Sequence, residues 1–515
     1  MNIVIRTDAS IYIGTGHVMR CLVLAQVLRE SGHNVNFSMR EQPADLIDLV
    51  KSKGFFVHKL VNPVIWNKPA HNADYPSWLH VTEQEDAISF CNVNSNVEIV
   101  IVDHYSLNTG WEINVRASLN CKIFVIDDLL RSHSCDLLLD QTLGRKKDDY
   151  KELVPKSSKI IAGCEYALLN PYFAKARINK KYDSREKIVK HKVLITMGGI
   201  DSSNVTLPVL KEIVKYGLYN FSLVTVVINP KSPFYEYVIE YISNYEEFIN
   251  QVDFVENMAE LMLNHTIAIG APGATSWERA CLGLPSIIVP LAENQKMVCH
   301  QLTEYGVAIK IELSDLGTAF DKALNELLMN YDEYKANCLE LCDGLGVFRT
   351  QTHINKLNGD NESCFSDCRL ANMNDIQQVY HWQTLPETRR FSLNTRVPSL
   401  EEHTLWMKNK LTSNNDYFYI IEVNSDAGDN IPAGVIRLDK LDNSKFLVSI
   451  FIAPEYYGKA VAKSALGFID MVHRDIVINA TVLTANMASQ KLFMKAGYTK
   501  LDDEHYQRSP IGNSK

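Results

Sequence analysis

A short segment near the start of the chain has the residue types and spacing of a site for acid–base chemistry beside an anion. A β-rich run ends at Asp8, and Gly14-Thr15-Gly16-His17 follows at the start of a helical segment. Glycines bring backbone N–H groups close to an anion at a helix N-terminus, and imidazole can exchange a proton near neutral pH. We predict that His17 is a general base, with a structural histidine as the alternative. Asp8 and Arg20 are its expected orienting neighbours, and the predicted substrate contacts are Gly14, Gly16 and Arg20.

Two further glycine-rich turns, at residues 197–199 and 273–275, follow predicted strands. Small residues at a helix N-terminus suit a diphosphate. Glu278 lies one turn into the second helix, where it could accept hydrogen bonds from ribose hydroxyls or be an exposed helix carboxylate. Two α/β units that each carry a glycine-rich strand end predict a cleft between them, and we expect a catalytic role for Asn294 at the edge of this cleft. The predicted substrate-binding residues here are Met197, Gly198, Gly199, Gly273, Ala274, Thr275, Glu278 and Gln295.

A fourth turn, at residues 453–462, leads from a predicted strand into a predicted helix. Its backbone amides could receive a pyrophosphate. A second helix, which opens at Asn486, follows the next predicted strand.

Alternating strands and helices must position the first three turns. Nearly continuous apolar runs predict parallel strands at 2–6, 35–39, 98–103, 122–127 and 159–162, then at 192–197, 223–228, 266–270, 286–289 and 307–311. Residues 356–366 lack periodicity and predict a linker. Three successive strands between 417 and 452 then indicate an antiparallel α+β unit. We predict Rossmann-like domains at 1–175 and 176–355, a linker at 356–366 and a different domain at 367–510.

Composition narrows the classes of function. The chain has 515 residues with 46% hydrophobic and 22% charged residues, which excludes wholesale disorder. Its net charge of −9 argues against a sequence-blind nucleic-acid binder. No apolar run approaches the roughly 20 residues that span a bilayer, and the first residues form a predicted strand and not a leader. We therefore expect a cytoplasmic protein with no membrane span and no nucleic-acid partner.

The first 350 residues resemble the UDP-sugar hydrolases of pseudaminic acid biosynthesis. The motifs that carry the resemblance are Arg6-Thr7-Asp8, Gly14-x-Gly16-His17-x-x-Arg20, Val102-Asp103-His104-Tyr105, Val125-Ile126-Asp127-Asp128 and Glu293-Asn294-Gln295. The resemblance implies an α/β, GT-B-like pair of Rossmann-type domains in which His17 activates water. The implied substrate is UDP-2,4-diacetamido-2,4,6-trideoxy-β-L-altropyranose, and the products are UDP and the free sugar. We expect no metal, because no Asp-x-Asp motif adjoins the predicted phosphate turns.

Residues 366–508 resemble GNAT N-acetyltransferases, including the sugar-amine branch of the same pathway. The turn Tyr457-Gly458-Lys459-Ala460-Val461-Ala462 and the segment from Asn486 to Tyr498 carry this resemblance. It implies an acetyl-CoA co-substrate and N-acetylation of a UDP-4-amino sugar. The implied acetyl-CoA-binding residues are Ile452, Gly458, Lys459, Ala460, Ala462, Asn486 and Ser489.

The GNAT-like segment departs from the family pattern at three positions. The leading Arg or Gln of the turn is Tyr457, its middle Gly is Ala460, and the Tyr that often protonates the leaving thiolate is Phe493. We expect Ala460 to adopt the conformation of a helix N-terminus, and we leave the proton donor unassigned. A glycosyltransferase activity for the first part of the chain, or an inert GNAT-like binding module, is the alternative function.

Overall fold

The computed structural model describes residues 1–63, 69–71, 74–179, 190–198, 201, 203–253, 255–291, 295–357, 364–413, 415–424, 430–442 and 444–511. The chain divides into two compact units. The first comprises Met1–Arg177 and Asp183–Asn358, and the second comprises Ile178–Tyr182 and Gly359–Lys515.

The first unit opens with a seven-stranded parallel sheet in the order β3-β2-β1-β4-β5-β6-β7. Its helices begin with local signals such as the capping box in which Thr82 and Glu85 bond each other's backbone N–H at the start of α3. The strands are β1 (Asn2–Thr7), β2 (Asn34–Arg40), β3 (Phe56–Leu60), β4 (Ile99–Asp103), β5 (Lys122–Ile126), β6 (Leu137–Asp140) and β7 (Lys159–Ala162). The helices are α1 (Gly16–Glu30), α2 (Ile47–Ser52), α3 (Glu83–Val93), α4 (Thr109–Leu119) and α5 (Pro171–Asn179).

A six-stranded parallel sheet follows in the order β10-β9-β8-β11-β12-β13. Its central strands are buried on both faces, as their continuous Val and Ile runs predict. The strands are β8 (His191–Thr196), β9 (Phe221–Val227), β10 (Ile249–Val252), β11 (Ile267–Gly270), β12 (Ser286–Ile288) and β13 (Ala308–Lys310). The helices are α6 (Thr206–Tyr216), α7 (Tyr235–Ile242), α8 (Met258–Leu263), α9 (Ala274–Cys281), α10 (Lys296–Glu304), α11 (Leu316–Met329), α12 (Tyr331–Leu341) and α13 (Gly346–Lys356).

Helix α13 comes after the second sheet in the chain but packs with the first. It contacts α1, and His33 Nε2 lies 2.9 Å from Asn355 Oδ1 across 322 residues of sequence. Arg349 on the same helix donates to the carbonyl oxygen of Glu165 at 2.8 Å. The predicted domain boundary near residue 175 stays a prediction, and α13 belongs spatially with the first sheet.

The second unit is built on a seven-stranded mixed sheet in the order β14-β15-β16-β17-β18-β20-β19. The predicted meander is confirmed, because β15, β16 and β17 pair antiparallel, whereas β17 and β18 pair in parallel across a helical crossover. The strands are β14 (Phe365–Leu370), β15 (Tyr417–Asn424), β16 (Asn430–Asp442), β17 (Lys445–Ile452), β18 (Val477–Thr481), β19 (Thr499–Lys500) and β20 (His505–Arg508). The helices are α14 (Ile376–Thr384), α15 (Pro386–Arg389), α16 (Leu400–Leu411), α17 (Val461–Val472) and α18 (Met487–Lys495).

The fold class predicted from the sequence is confirmed: two Rossmann-type α/β sheets of the GT-B kind precede an α+β domain. The sequence patterns missed β3, β6 and β10 in the two parallel sheets, and β19 and β20 in the mixed sheet. Strands β3 and β10 are sheet edges that carry polar residues, and β6 has only four residues. In the described ranges, no helix is both long and apolar enough to cross a membrane.

Candidate active sites

His17 and Asp103 form a pair at the edge of the first sheet where the parallel strands end. His17 lies in the first turn of α1, and Asp103 is the last residue of β4. Strands β1 and β4 pair with Thr7 opposite Asp103, which brings this carboxylate next to the start of α1. His17 Nδ1 lies 2.6 Å from Asp103 Oδ1, so Nδ1 acts as the donor. Nε2, which has no hydrogen-bond partner among the described residues, is the nitrogen that can accept a proton.

Arg20 holds the carboxylate of Asp103 from one turn further along α1. Its Nε lies 2.6 Å from Oδ2 and its Nη2 lies 2.6 Å from Oδ1, while Nη1 lies 3.4 Å from Asp128 Oδ2. Burial alone would raise the pKa of Asp103, but Arg20 and His17 hold this pKa well below its usual range. Arg20 contacts two carboxylates through its guanidinium, and its predicted role in substrate binding stays a prediction. As predicted, it is a neighbour that orients His17.

We predicted that Asp8 orients His17, but in the structure the Asp8 carboxylate contacts other residues. Its Oδ1 accepts from the backbone N–H of Arg40 at 2.7 Å and pairs with Arg6 at 2.8 Å, and its Oδ2 lies 3.3 Å from His104 Nε2. These partners commit the Asp8 carboxylate to a buried network, and Asp103 takes the orienting role instead. The strand order explains the error, because β4 lies next to β1 although 86 residues separate His17 from Asp103.

Aromatic side chains surround the imidazole of His17. The Tyr105 ring lies edge-on to it with centroids 4.5 Å apart, and the Trp78 ring lies edge-on at 6.5 Å. Tyr75 packs on both Trp78 and Tyr105, and the Tyr105 hydroxyl donates to Asp128. The sequence analysis missed Tyr75 and Trp78, although two aromatic residues beside Pro76 were a usable signal. Such a wall can stack on the apolar face of a sugar ring and limit access of bulk water.

Open glycines mark the edge of the second sheet. Gly198 follows β8 with φ +89°, and Gly273 precedes α9 with φ +147°. A Cβ atom at either position would meet no atom within 4 Å, so both turns face open space. Ala274 and Thr275 form the first turn of α9, whose N–H groups point out of the helix. The N–H groups of Ala274 and Thr275 could donate to an anion, and the predicted binding role of this edge stays a prediction.

Glu278 and Arg279 lie one turn into α9. Burial raises the pKa of Glu278 to about 7 despite the neighbouring Arg279 charge, and Glu278 makes no hydrogen bond within the described chain. Arg279 is 1% exposed, and its Nη2 donates to the carbonyl of Ala271 at 3.0 Å and to Ser276 Oγ at 3.1 Å. Burial lowers the pKa of Arg279 to about 10, which leaves it a cation beneath the turn. The sequence analysis did not predict a role for Arg279.

The other predicted residues of this edge have mixed outcomes. Met197 is buried behind Gly198. Gln295 Oε1 accepts from the backbone N–H of Leu291 at 2.8 Å, and the predicted role of Gln295 in substrate binding stays a prediction. Gly199 and Asn294 lie outside the described residues, and their predicted roles stay predictions.

In the second unit, strands β17 and β18 diverge. They pair only from Lys445 to Leu447 against Val477 to Asn479, although β17 continues to Ile452. The divergence leaves the ends of both strands unpaired with each other, which opens a gap in the sheet. A ligand chain could occupy this gap and hydrogen-bond to the free backbone groups.

The turn between β17 and α17 has the geometry of an anion-binding loop. Gly458 has φ +76°, and a Cβ atom there would meet no atom within 4 Å. Ala460 has φ +59° and directly precedes α17. This corrects our expectation of a helical Ala460: the residue adopts the left-handed conformation that the usual glycine would favour. Lys459 Nζ lies 5.1 Å from the centre of the Tyr456 ring, and Ala462 lies in the first turn of α17.

The second GNAT-like segment forms α18. Asn486 Oδ1 accepts from the backbone N–H of Ser489 at 3.1 Å and caps the helix. Phe493 is buried, and the Tyr498 hydroxyl donates to Asp470 at 3.2 Å. Across the described ranges of both units, no group of three or more His, Cys, Asp or Glu side chains is placed to hold a metal ion.

Comparisons with known proteins match different domains to the earlier and later parts of the chain. The glycosyltransferase family 28 C-terminal domain matches residues 193–341, and the acetyltransferase (GNAT) domain matches residues 369–499. The UDP-2,4-diacetamido-2,4,6-trideoxy-beta-L-altropyranose hydrolase of Campylobacter jejuni is 28% identical over 313 residues, which cover 60% of this chain and 99% of that protein.

Two other relatives cover different parts of the chain. The uncharacterized protein MJ1062 of Methanocaldococcus jannaschii is 23% identical over 512 residues, 97% of each chain, and so shares the whole length. The spore coat polysaccharide biosynthesis protein SpsG of Bacillus subtilis is 26% identical over 165 residues, 32% of this chain and 47% of that protein. The chain therefore joins a part similar to the Campylobacter hydrolase, which contains the match to the glycosyltransferase family 28 C-terminal domain, to a C-terminal part that matches the acetyltransferase (GNAT) domain.

Proposed function

We propose that the chain is a bifunctional enzyme of pseudaminic acid biosynthesis. Its first unit hydrolyses UDP-2,4-diacetamido-2,4,6-trideoxy-β-L-altropyranose to UDP and the free sugar. Its second unit transfers an acetyl group from acetyl-CoA to the UDP-4-amino precursor of that sugar. The observation that carries the hydrolase proposal is the His17–Asp103–Arg20 cluster with a free Nε2, in a unit homologous to a hydrolase of this substrate.

In the hydrolysis, His17 Nε2 removes a proton from a water molecule whose oxygen attacks the anomeric carbon. The bond from this carbon to the diphosphate oxygen breaks, and its electron pair leaves with UDP. The imidazolium that forms is stabilised by the ionised Asp103 at 2.6 Å, and Arg20 keeps Asp103 ionised. General-base catalysis of this kind typically contributes about 10²–10⁴-fold in rate.

The leaving UDP requires donors for its diphosphate and an acceptor for its ribose. The backbone N–H groups of Ala274 and Thr275 at the start of α9 supply donors, whereas the Gly273 N–H donates to Ser276 Oγ. The buried Arg279 adds positive charge beneath them. Glu278 has no competing partner within the described chain and is the proposed acceptor for ribose hydroxyls.

In the acetyl transfer, the Gly458–Ala462 turn receives the pyrophosphate of acetyl-CoA, and the gap between β17 and β18 receives its thioester arm. Support comes from the open space at Gly458, the left-handed Ala460 and the divergence of the strands. The match of residues 369–499 to the acetyltransferase (GNAT) domain supports this proposal.

The two activities are expected to act in order, acetylation first. A sugar 4-amine is cationic near neutral pH, and a hydrolase site shaped for a neutral acetamide would have to desolvate that charge, which costs several kcal/mol. The test is mass spectrometry of the products that the purified full chain forms from the UDP-4-amino sugar with and without acetyl-CoA. We expect the diacetamido sugar and UDP only with acetyl-CoA, and equal UDP release in both conditions would contradict the order.

The glycosyltransferase family 28 match favours one alternative, a glycosyltransferase. The two functions differ in their need for an acceptor. UDP release from the diacetamido substrate in water alone supports the hydrolase, and release only after a sugar acceptor is added supports the transferase.

A further inference from the structure

A pocket of about 270 Å³ lies at the end of the first sheet that is remote from His17. It is formed by β1, β2 and β3 together with the end of α3 and the residues that follow this helix. Strand β1 runs from Asn2 in this pocket to Thr7, which pairs with Asp103. The five residue steps between Asn2 and Thr7 span roughly 16 Å at about 3.3 Å each. The pocket is therefore separate from the His17 cluster.

Uncharged polar side chains line this pocket. Five of them are asparagines, namely Asn2, Asn34, Asn36, Asn94 and Asn96. Within the described ranges, no Asp, Glu, Lys or Arg side chain lines the pocket. His58 also lines it, and burial lowers the pKa of His58, so this imidazole is uncharged near neutral pH. A phosphate group would lose hydration here without gaining a cation, so the lining favours an uncharged polar ligand.

The asparagines differ in whether the protein uses their amides. Asn94 Nδ2 donates to Ser38 Oγ at 2.9 Å and to the carbonyl oxygen of Phe90 at 2.8 Å, which holds the end of α3 on the sheet. The side chains of Asn36 and Asn96 make no hydrogen bond to the described chain. Each free amide offers N–H donors and a carbonyl acceptor, which can pair with the hydroxyl and acetamide groups of a ligand.

An exposed aromatic ring lies beside these amides. Phe56 of β3 is paired with Asn36 of β2 in the parallel register, so the two side chains lie on the same face of the sheet. Phe56 is 62% exposed, and its ring lies edge-on to His58 with centroids 4.7 Å apart. Free amides next to an exposed ring suit a sugar, because the hydroxyls can bond the amides while the apolar face of the pyranose packs on the ring.

We propose that this pocket binds a neutral sugar, namely the free diacetamido sugar that the first unit releases. The identity of the sugar rests on the proposed hydrolase function. UDP, the UDP-sugars, CoA and acetyl-CoA all carry phosphate, whereas the released sugar is uncharged. Its two acetamides have the same donor and acceptor pair as the free amides of Asn36 and Asn96, and its 6-methyl group is an apolar partner for Phe56. The product would thus bind at a site separate from the one that forms it.

The test is calorimetric titration of the full chain with the free diacetamido sugar. Asn36→Ala and Phe56→Ala should each weaken binding by roughly three- to tenfold, and the double variant should weaken it further. Asn114→Ala, which removes an exposed amide from α4, is the matched control and should leave the affinity unchanged. The thermal stability and the initial rate of UDP release should stay unchanged in all these variants, because the altered side chains lie away from the His17 cluster.

A further variant separates this pocket from the catalytic edge. Trp78→Ala alters the aromatic wall around His17 and should leave the binding that depends on Asn36 unchanged. The proposal would be overturned if the sugar did not bind, if Asn36→Ala and Phe56→Ala bound it as tightly as the wild type, or if Trp78→Ala abolished the binding.

Two other ligands define what the pocket recognises. Uridine is uncharged, and tighter binding of uridine than of the sugar, with the same dependence on Asn36, would make the pocket a nucleoside site and overturn the proposal. N-acetylglucosamine should bind with the same dependence on Asn36 and Phe56. If it does so in a wild-type chain that does not hydrolyse the UDP-sugar, the hydrolase function fails and the neutral-sugar site stands.

Discussion

The His17 cluster and the glycine-rich turns differ in how far protein groups occupy the space and the polar atoms around them. Around His17, the described side chains are paired: Arg20 is bound to Asp103 and Asp128, and Asp103 is bound to His17. At the turns of the second and third sheets, Gly198, Gly273 and Gly458 face open space. A catalytic group must be oriented before substrate arrives, so its partners come from the protein. A binding turn must leave its donors for the ligand, so few protein groups occupy them.

The largest expected effect comes from the centre of the paired cluster. His17→Ala should lower the rate of UDP release by about 10²–10⁴-fold because it removes the only group in the cluster with a free proton-accepting nitrogen among the described residues. Acetyl transfer by the second unit should be unchanged. Both rates are measured on the same preparation, with exposed His300 replaced by Ala as the matched control. Hydrolysis within threefold of wild type would reassign His17 to a structural role.

Removing the partner of His17 should have the next largest effect. Asp103→Asn keeps the shape of the side chain but loses the charge that stabilises the imidazolium, and we expect a loss of kcat of roughly 10–100-fold with little change in KM. The buried Arg20 would lose its main partner, so the free energy of unfolding should fall by about 3 kcal/mol. Asp128→Asn, which affects the 3.4 Å contact to Arg20 and the hydrogen bond from the Tyr105 hydroxyl but leaves Asp103 unchanged, is the milder control. An Asp103→Asn enzyme with full kcat would show that the pairing around His17 is not needed.

Beside the glycine-rich turns of the second sheet, Glu278 should make UDP binding depend on pH. Its pKa of about 7 means that the carboxylate ionises as the pH rises through neutrality, and the ionised form accepts hydrogen bonds more strongly from ribose hydroxyls. UDP affinity should therefore rise from pH 6 to pH 8.

Glu278→Gln should bind UDP about 10–100-fold more weakly at pH 8 and should lose this rise, as measured by calorimetric titration. Because the raised pKa means that the folded state holds the proton more tightly than the unfolded state, Glu278 also makes stability fall as pH rises from about 4.5 to 7. The exposed Glu304→Gln serves as the control. A pH profile for Glu278→Gln that matches the wild type would remove Glu278 from the site.

The smallest effect concerns the left-handed Ala460. Ala460→Gly should raise the free energy of unfolding by up to about 1 kcal/mol, because glycine adopts positive φ without the Cβ clash. Ala462→Gly, two residues later in the first turn of α17, should lower it by a similar amount. Denaturant titration of both variants gives the comparison. A less stable Ala460→Gly would mean that the turn is not left-handed in solution.

The sequence predicted features that depend on local pattern. The buried strands, the glycine turns and the helix starts at His17 and Thr275 follow from residues close together in the chain. Arg20 and Asp103 were within the recognised motifs, but their pairing depends on β4 lying beside β1, and no local pattern specifies strand order. The sequence analysis gave no role to Arg279 for a related reason. An arginine on an amphipathic helix is expected to be exposed unless the loop that covers it is known, and Arg279 is buried.

The packing of α13 against the first sheet has a consequence for how the protein folds while it is being synthesised. The buried side chains of Val347, Phe348 and Ile354 belong to a helix that packs on α1, more than 300 residues earlier. The ribosome must therefore synthesise the whole second sheet before α13 can pack against α1. The contact between these two helices also closes a very long loop. Until residue 356 has emerged, the growing chain carries an incomplete amino-terminal domain. A truncation before α13 should then behave as a folding intermediate that needs chaperones, even though it retains His17, Arg20 and Asp103.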